Sequence, residues 1–439
     1  MRDLLILSIV ALACLAALKR PWIGMLLWTV ISLGYPHEQF GYETATMPLA
    51  AAAAIATLIG LLFAKERLNP WARPASVAIL MFFAWTTITL PFSYYFDASL
   101  SLWERSMKIF LMVFVTIALI DSPRKLQWFI WVCVMSVAFY GVKGGVFTIV
   151  TGGGYRVWGP GGFIGGNNEI AAALVKVIPL VYYLMMQSHN RWVRRALLAT
   201  MVLSAVAVLG THSRGALLAV GAMGAFLWLK APRKLVGGVL MAVAGVTMLT
   251  FMPEHWWARM ETIQDYREDD SALGRLNAWQ FAWRMASDNF FGGGFMIYEP
   301  DLFLKYAPDP DRIHAAHSIY FQVLGEHGFV GLALFLAVGV FTWLDARRLI
   351  KTSRLDPSLK WASDLGRMVQ VSMVGFAVGG AFLSLAYYDL PYNVTVMVVC
   401  AVHLVSRRTA ETHQAKVAAR AVDGDTGDER NPTRPALGA

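Results

Sequence analysis

Long apolar runs broken by short polar stretches dominate this chain. They fall at about residues 3–18, 21–34, 46–64, 75–92, 107–120, 126–149, 168–187, 196–210, 215–229, 234–252, 318–344, 368–386 and 391–405. A straight membrane helix needs about 20 apolar residues to cross about 30 Å of hydrocarbon, and several of these runs are shorter. The first two are the weakest pair and together can make one span with a broken or re-entrant element. The pattern predicts an all-α polytopic membrane protein of about 12 transmembrane helices, or 13 if both opening runs cross.

The polar breaks orient these helices. Lys19-Arg20, Lys65/Arg67/Arg73, Arg124-Lys125, Arg191/Arg194/Arg195, Lys230/Arg233/Lys234, the stretch from Arg347 to Arg367, and Arg407-Arg408 occupy every second connection. Clustered Lys and Arg mark cytoplasmic loops, so the intervening connections are expected to face outward. Four units follow: a membrane bundle over 1–252, an outward loop over 253–317, returning helices over 318–405, and a polar, disordered cytoplasmic tail over 406–439. The loop carries eleven Asp or Glu against six Lys or Arg, and its pattern predicts helices near 254–265 and 272–290. At that size it cannot enclose a large core alone, so it is expected to pack on the membrane helices as a lid or wall. A second outward segment, 151–168, is too glycine-rich for a regular element; glycine lets backbone approach a ligand closely, and a flexible connection accounts for it equally.

Composition agrees with a membrane protein. Of 439 residues, 57% are hydrophobic and 15% charged, against about 25% charged in soluble proteins. The net charge of +9 does not indicate nucleic acid, because the cations are dealt out between apolar runs. Cys14, Cys133 and Cys400 all lie in apolar segments and read as small buried residues rather than a disulfide set or metal site. Arg2 before an apolar run resembles a signal peptide, but the next apolar run follows at once, and a retained membrane segment is expected.

Charges inside apolar runs are expensive and are functional candidates by default. They are Lys108, Lys143, Lys176 and Arg214, with Arg105 and Arg156 flanking them on the outward side. Lys108 and Lys143 can equally snorkel to the interface. Arg214 stands in Thr211-His212-Ser213-Arg214-Gly215, a polar break between two apolar runs; its planar fork suits bidentate phosphate binding, whereas lysine acts as a point charge. An outward cationic basin at membrane depth predicts an anionic substrate with a lipid tail. A second constellation, His314-Ala-Ala-His317-Ser318-Ile-Tyr320 followed by Glu326-His327-Gly328, lies where the chain re-enters the membrane. His317 there can act as a general base, with His314 and His327 as competitors; an interfacial histidine bonded to backbone is the plainer alternative. His314 and His317 have no carboxylate or cysteine placed to complete a metal site. Arg275, Trp279 and Trp283 share one helical face. Asp309-Pro310-Asp311 looks like the metal-binding pair of nucleotide-sugar glycosyltransferases but reads better as a solvated turn.

Taken together, Ser213-Arg214-Gly215, Gly274-Arg275 with Trp279, Asp288-Asn289-Phe-Phe-Gly292-Gly293-Gly294-Phe295, and His317-Ser318-x-Tyr320 with Glu326-x-Gly328-x-x-Gly331-Leu332 resemble the O-antigen ligase superfamily. That superfamily also holds O-antigen polymerases and bacterial protein O-oligosaccharyltransferases. The opening helices and Gly165-Gly166-Asn167-Asn168-Glu169 look like the O-glycosylation ligases associated with exosortase systems. The resemblance implies an inner-membrane glycosyltransferase with a periplasmic site, working without metal or other cofactor. It would move a glycan from undecaprenyl diphosphate to an acceptor, for ligases the lipid A–core oligosaccharide, among membrane lipids and with no nucleic acid. His317 matches the family's essential histidine, and Arg214 and Arg275 its functional arginines; Arg156 matches by location only. The donor diphosphate would then be gripped by Arg214 with Arg156, Arg275, Lys176, Arg105 and Lys108, and Tyr320 would line the substrate site. A polymerase or protein-glycosylating enzyme shares the same donor chemistry. An anion transporter would also use buried cations, but the paired interrupted helices typical of transporters are not seen.

Overall fold

The computed structural model describes residues 1–425 except 65–66, 231–232, 251, 255, 258–269 and 355. The regular elements among the described residues are all helices, with no strand among them. In chain order the helices are α1 (Arg2–Lys19), α2 (Pro21–Gly34), α3 (Pro36–Phe40), α4 (Leu49–Leu62), α5 (Pro74–Thr89), α6 (Phe96–Leu119), α7 (Pro123–Val150) and α8 (Asn167–Gln187). They continue with α9 (Arg191–Gly210), α10 (Arg214–Lys230), α11 (Lys234–Thr250), α12 (Asp270–Asp288), α13 (Pro300–Tyr306), α14 (Ile319–Ser353), α15 (Lys360–Gly380) and α16 (Asp389–Asp425). Local chemistry sets several boundaries. Pro21, Pro74 and Pro123 open their helices, where a missing N–H does no harm. The Asn190 side chain accepts from Trp192 N at 2.8 Å to cap α9.

Six helices among the described residues are long and apolar enough to cross a membrane: Pro74–Phe92, α7, α8, α9, α14 and Asp389–Ala415. The protein is therefore a polytopic helical membrane protein. The expected count of 12 or 13 does not emerge on length and composition, because α2 and α4 have only 14 residues each and α6 carries charges along its first half. Helices α8 and α16 form the enclosed centre. At one end of the bundle Arg73, just before α5, forms a buried ion pair with Asp345 of α14. Helix α16 runs on to Asp425, so 406–425 is helical. The helix expected near 254–265 lies mostly outside the described residues, whereas that expected near 272–290 is α12.

The lobe built from α12 and α13 has a small core of its own. Phe281 and Phe303 stack with centroids 4.5 Å apart, surrounded by Met285, Ile297 and Tyr306. The lobe also leans on the membrane helices. Trp279 stacks on Phe321 at 4.9 Å and 8°, and Trp283 meets Phe329 edge-on at 5.3 Å. The acidic excursion is thus fastened to α14 by the aromatic face of α12.

Helix α14 is broken at Gly328, whose φ of 68° and ψ of −172° are non-helical. The segment 289–295 fills the break. Gly293 N donates to Gly325 O and Gly294 N to Glu326 O, each at 2.9 Å, satisfying two carbonyls immediately before it. A Cβ on Gly292 would lie 2.6 Å from the Glu326 backbone, so the close approach requires glycine there. Tyr94 N in turn donates to Gly293 O at 3.0 Å, which ties the loop after α5 to the same splint.

Candidate functional site

His317 is delivered by an extended strap, residues 307–317, that α12 holds by its carbonyls. Asn277 Nδ2 donates to Asp309 O at 2.7 Å and to Arg312 O at 2.9 Å, while Asn277 Oδ1 accepts from Asp309 N at 2.9 Å. Trp279 Nε1 donates to Ala316 O at 2.7 Å. The strap ends in a left-handed turn, with His317 at φ 42°, a conformation a non-glycine residue keeps only when its surroundings impose it. Its Nδ1 is buried without a hydrogen-bond partner. Burial, then the Arg275 guanidinium and His314, hold the His317 imidazole below its ordinary pKa of 6.5. At neutral pH it is a free base. Asp309, one of the two carboxylates suggestive of a metal pair, sits in a separate turn near the start of the strap and faces Arg312 at 3.8 Å.

Arg275 is the residue that joins elements. It acts electrostatically on His317 and also on Glu169, in the first turn of α8. His314 packs against Gly274, where a side chain would collide with its ring. The first turn of α8 also reaches the Arg214 region, since Asn167 Nδ2 donates to Thr211 O at 2.9 Å. The connection between α9 and α10 is fastened to the glycine-rich segment from two sides: Val157 N donates to Gly210 O at 2.9 Å, and His212 Nε2 meets Gly153 O at 3.0 Å. Arg214 then opens α10, and Gly215 packs on Phe382 just past α15. Glu169 was not singled out from the sequence as a site residue. Its position three residues into a helix after Gly166 reads there as an ordinary first-turn carboxylate.

Lys176 and Tyr320 come together elsewhere, in a cavity of 440 Å³ between α14, α15 and α16. Its lining is otherwise mostly apolar, including Phe335, Met373 and Tyr392, with Thr342 and Thr395 also on it, and it opens past the exposed side chains of Leu336, Val340 and Leu344. Lys176 is 3% exposed, with Nζ over the Phe376 ring at 4.2 Å from its centroid; among the described residues no carboxylate pairs with it. Tyr320 Oη donates to Ala377 O at 2.7 Å. Pro179, one turn on, withdraws a helical N–H, and Ser372 Oγ donates to the Lys176 carbonyl at 2.6 Å.

Arg105 stands apart from both groups, with its guanidinium 3.8 Å from the Phe163 ring centroid and electrostatically coupled to Tyr35 and to the buried Asp389. Tyr35 Oη accepts from Phe163 N at 3.3 Å, so this cluster anchors the glycine-rich segment. Lys143 Nζ donates to Gln39 at 3.3 Å. Lys108 and Arg156 are exposed.

Residues 199–336 match a family model described as O-antigen ligase. That match groups residues 199–336 with the O-antigen ligase superfamily. The matched stretch runs from within α9 to the break region of α14 and contains Arg214, Arg275, His317 and Tyr320. Residues 1–189 match a second model, described as a family of unknown function, and that half supplies Arg105, Arg156, Glu169 and Lys176. No curated protein matches the chain.

Within the ligase-superfamily region, Glu326 and His327 have structural partners. Glu326 is 2% exposed and accepts from Tyr387 Oη. His327 is fully buried in an aromatic box of Phe82, Phe295 and Tyr387. Its Nδ1 meets Thr89 Oγ1 at 2.8 Å, and its carbonyl accepts from Trp85 Nε1 at 2.8 Å. Of the three histidines near the re-entry point, His327 is thus packed inside the bundle, while His314 packs against Gly274 and His317 feels the Arg275 charge.

Proposed function

We propose that the protein moves a glycan en bloc from undecaprenyl diphosphate to the lipid A–core oligosaccharide, at the periplasmic face of the bacterial inner membrane. In this reading the six long helices cross the bilayer together with the shorter or more charged ones, giving the 12 or 13 passages that the charge alternation suggests. His317 accepts the proton of the acceptor hydroxyl as its oxygen bonds to the anomeric carbon. The bond from that carbon to the diphosphate oxygen breaks, and undecaprenyl diphosphate leaves, inverting the configuration. Arg214 and Arg275, with Arg156 nearby, offset the charge that grows on the leaving diphosphate; such preorganised electrostatics is usually the largest catalytic contribution. Lys176 and Tyr320 belong with the lipid part of the donor, because their cavity is mostly apolar and opens towards hydrocarbon. Arg105 and Lys108 act at a greater remove, Arg105 through the glycine-rich segment it anchors. The diphosphate is already a stabilised leaving group, so the fixed cations suffice and no metal is invoked.

One arrangement carries this reading: a histidine kept as free base by burial and by Arg275, on a strap within the ligase-family region. The test is reconstitution of the purified protein with an undecaprenyl-diphosphate-linked glycan and lipid A–core. Capped acceptor and free undecaprenyl diphosphate are expected, and both should vanish in His317→Ala. A deletion strain separates the polymerase alternative, since loss of a ligase removes every capped rung of the lipopolysaccharide ladder, whereas loss of a polymerase leaves one short capped unit. Modification of a protein rather than lipid A–core would indicate an O-oligosaccharyltransferase. Anion flux across vesicles without glycan transfer would overturn the enzyme reading altogether.

A further inference from the structure

The end of the bundle opposite His317 holds a group of cations that glycan transfer leaves unused. Two cavities open on either side of the first turn of α7. One, of 340 Å³, is lined by Lys19, Arg20, Trp22, Asp121 and Lys125 among others. The other, of 600 Å³, is lined by Arg124, Trp128, Trp131 and Met135 on one stripe of α7, with Val30 of α2 opposite. Lys125 is committed to Asp121 at 2.5 Å, which leaves Lys19, Arg20 and Arg124 in no ion pair among the described residues. Trp128 is 50% exposed although it stands only four residues from Arg124.

A polar, cation-lined recess beside an apolar, tryptophan-lined groove has the two-part shape of a phospholipid. Tryptophan is favoured where hydrocarbon meets headgroups, and basic pockets between membrane helices draw anionic headgroups. We propose that this is a binding site for one anionic phospholipid, its phosphate held by Lys19, Arg20 and Arg124 and one acyl chain lying along Trp128, Trp131 and Met135. A zwitterionic lipid carries its own ammonium beside the phosphate, so net positive charge selects against it. The bound lipid bridges the α1–α2 hairpin to α7, and its occupancy stabilises the folded protein by mass action. The site is independent of the transfer chemistry.

The test uses the full-length protein, delipidated in detergent and titrated with phosphatidylglycerol or phosphatidylcholine. Native mass spectrometry counts bound lipid, and the melting temperature reports stabilisation. One phosphatidylglycerol is expected to bind well ahead of phosphatidylcholine and to raise the melting temperature. Arg124→Gln should weaken phosphatidylglycerol about fivefold, the effect of one basic residue near an anionic surface, and leave phosphatidylcholine unchanged. Trp128→Ala should weaken both lipids alike. Arg194→Gln, an exposed cation at the same end of the bundle, should alter neither. Equal affinity of the wild type for the two lipids would overturn the site. Equal losses from Arg124→Gln and Arg194→Gln would also overturn it, by showing charge spread over that end of the bundle. Both arginines are exposed, so these two variants carry the test even if Trp128→Ala fails to fold.

Discussion

Gly328 is the residue whose replacement most directly tests how the site is held. Its φ of 68° and ψ of −172° fall in a region that side-chain-bearing residues essentially avoid, at a cost on the order of 1–3 kcal/mol. A Cβ there would also collide with the Phe290 carbonyl, a backbone atom in the splint that cannot swing away; overpacking of this kind costs about 1–3 kcal/mol. Gly328→Ala is therefore expected to destabilise the protein by about 2–6 kcal/mol, summing those two ranges. Transfer should fall too, because the half-helix that follows His317 would lose its seat. Gly221→Ala is the matched control. It lies inside α10 with nothing within 4 Å of an added Cβ, so alanine should be neutral or stabilising by up to about 1 kcal/mol. Thermal unfolding of both variants in one detergent, followed by tryptophan fluorescence, measures the contrast. If the two variants melt alike and transfer equally well, the break in α14 does not depend on glycine and the splint has no structural role.

Three further outcomes follow from the same geometry. His317→Ala should lower transfer about 10²–10⁴-fold, the usual worth of general-base help, with the melting temperature little changed; full turnover would remove the base assignment. His317 sits below its ordinary 6.5 through burial, Arg275 and His314, so activity should persist as pH drops past 6.5 and fall only through the lowered value. His314→Gln removes one repulsion and should move that acid limb to higher pH; a limb that stays put in a kcat/KM profile would show that another group titrates. Tyr387→Phe strips a hydrogen bond from the buried Glu326 carboxyl and should destabilise by about 0.5–1.5 kcal/mol, visible as a lower melting temperature. An unchanged melt would mean that Glu326 is satisfied without Tyr387.

Much of the architecture was legible in the sequence because its signals are local. Apolar runs and interrupting charges marked a polytopic helical protein, and the spacing of Arg275, Trp279 and Trp283 marked one face of α12. The number of crossings was less legible, since runs of 14 residues satisfy a hydrophobic pattern without satisfying the length a span requires. The role of Glu169 was hidden because it depends on an arginine more than a hundred residues away. The break at Gly328 was hidden as well, because glycines within an apolar run also read as tight helix packing, and the positive φ of Gly328 goes with the docking of 289–295. Lys176 was legible as a costly charge, but its surroundings were not, and the structure lines its cavity with Tyr320 rather than with other cations.

The splint at Gly328 has a consequence for biogenesis. Residues 329–353 can enter the bilayer as an ordinary span as soon as they emerge, because their backbone satisfies itself. The stretch before Gly328 cannot rest there unaided, since it carries Glu326 and His327 and two carbonyls that only the neighbouring glycine loop caps. This segment therefore reaches its final place only with α5, the glycine loop and Tyr387 packed beside it.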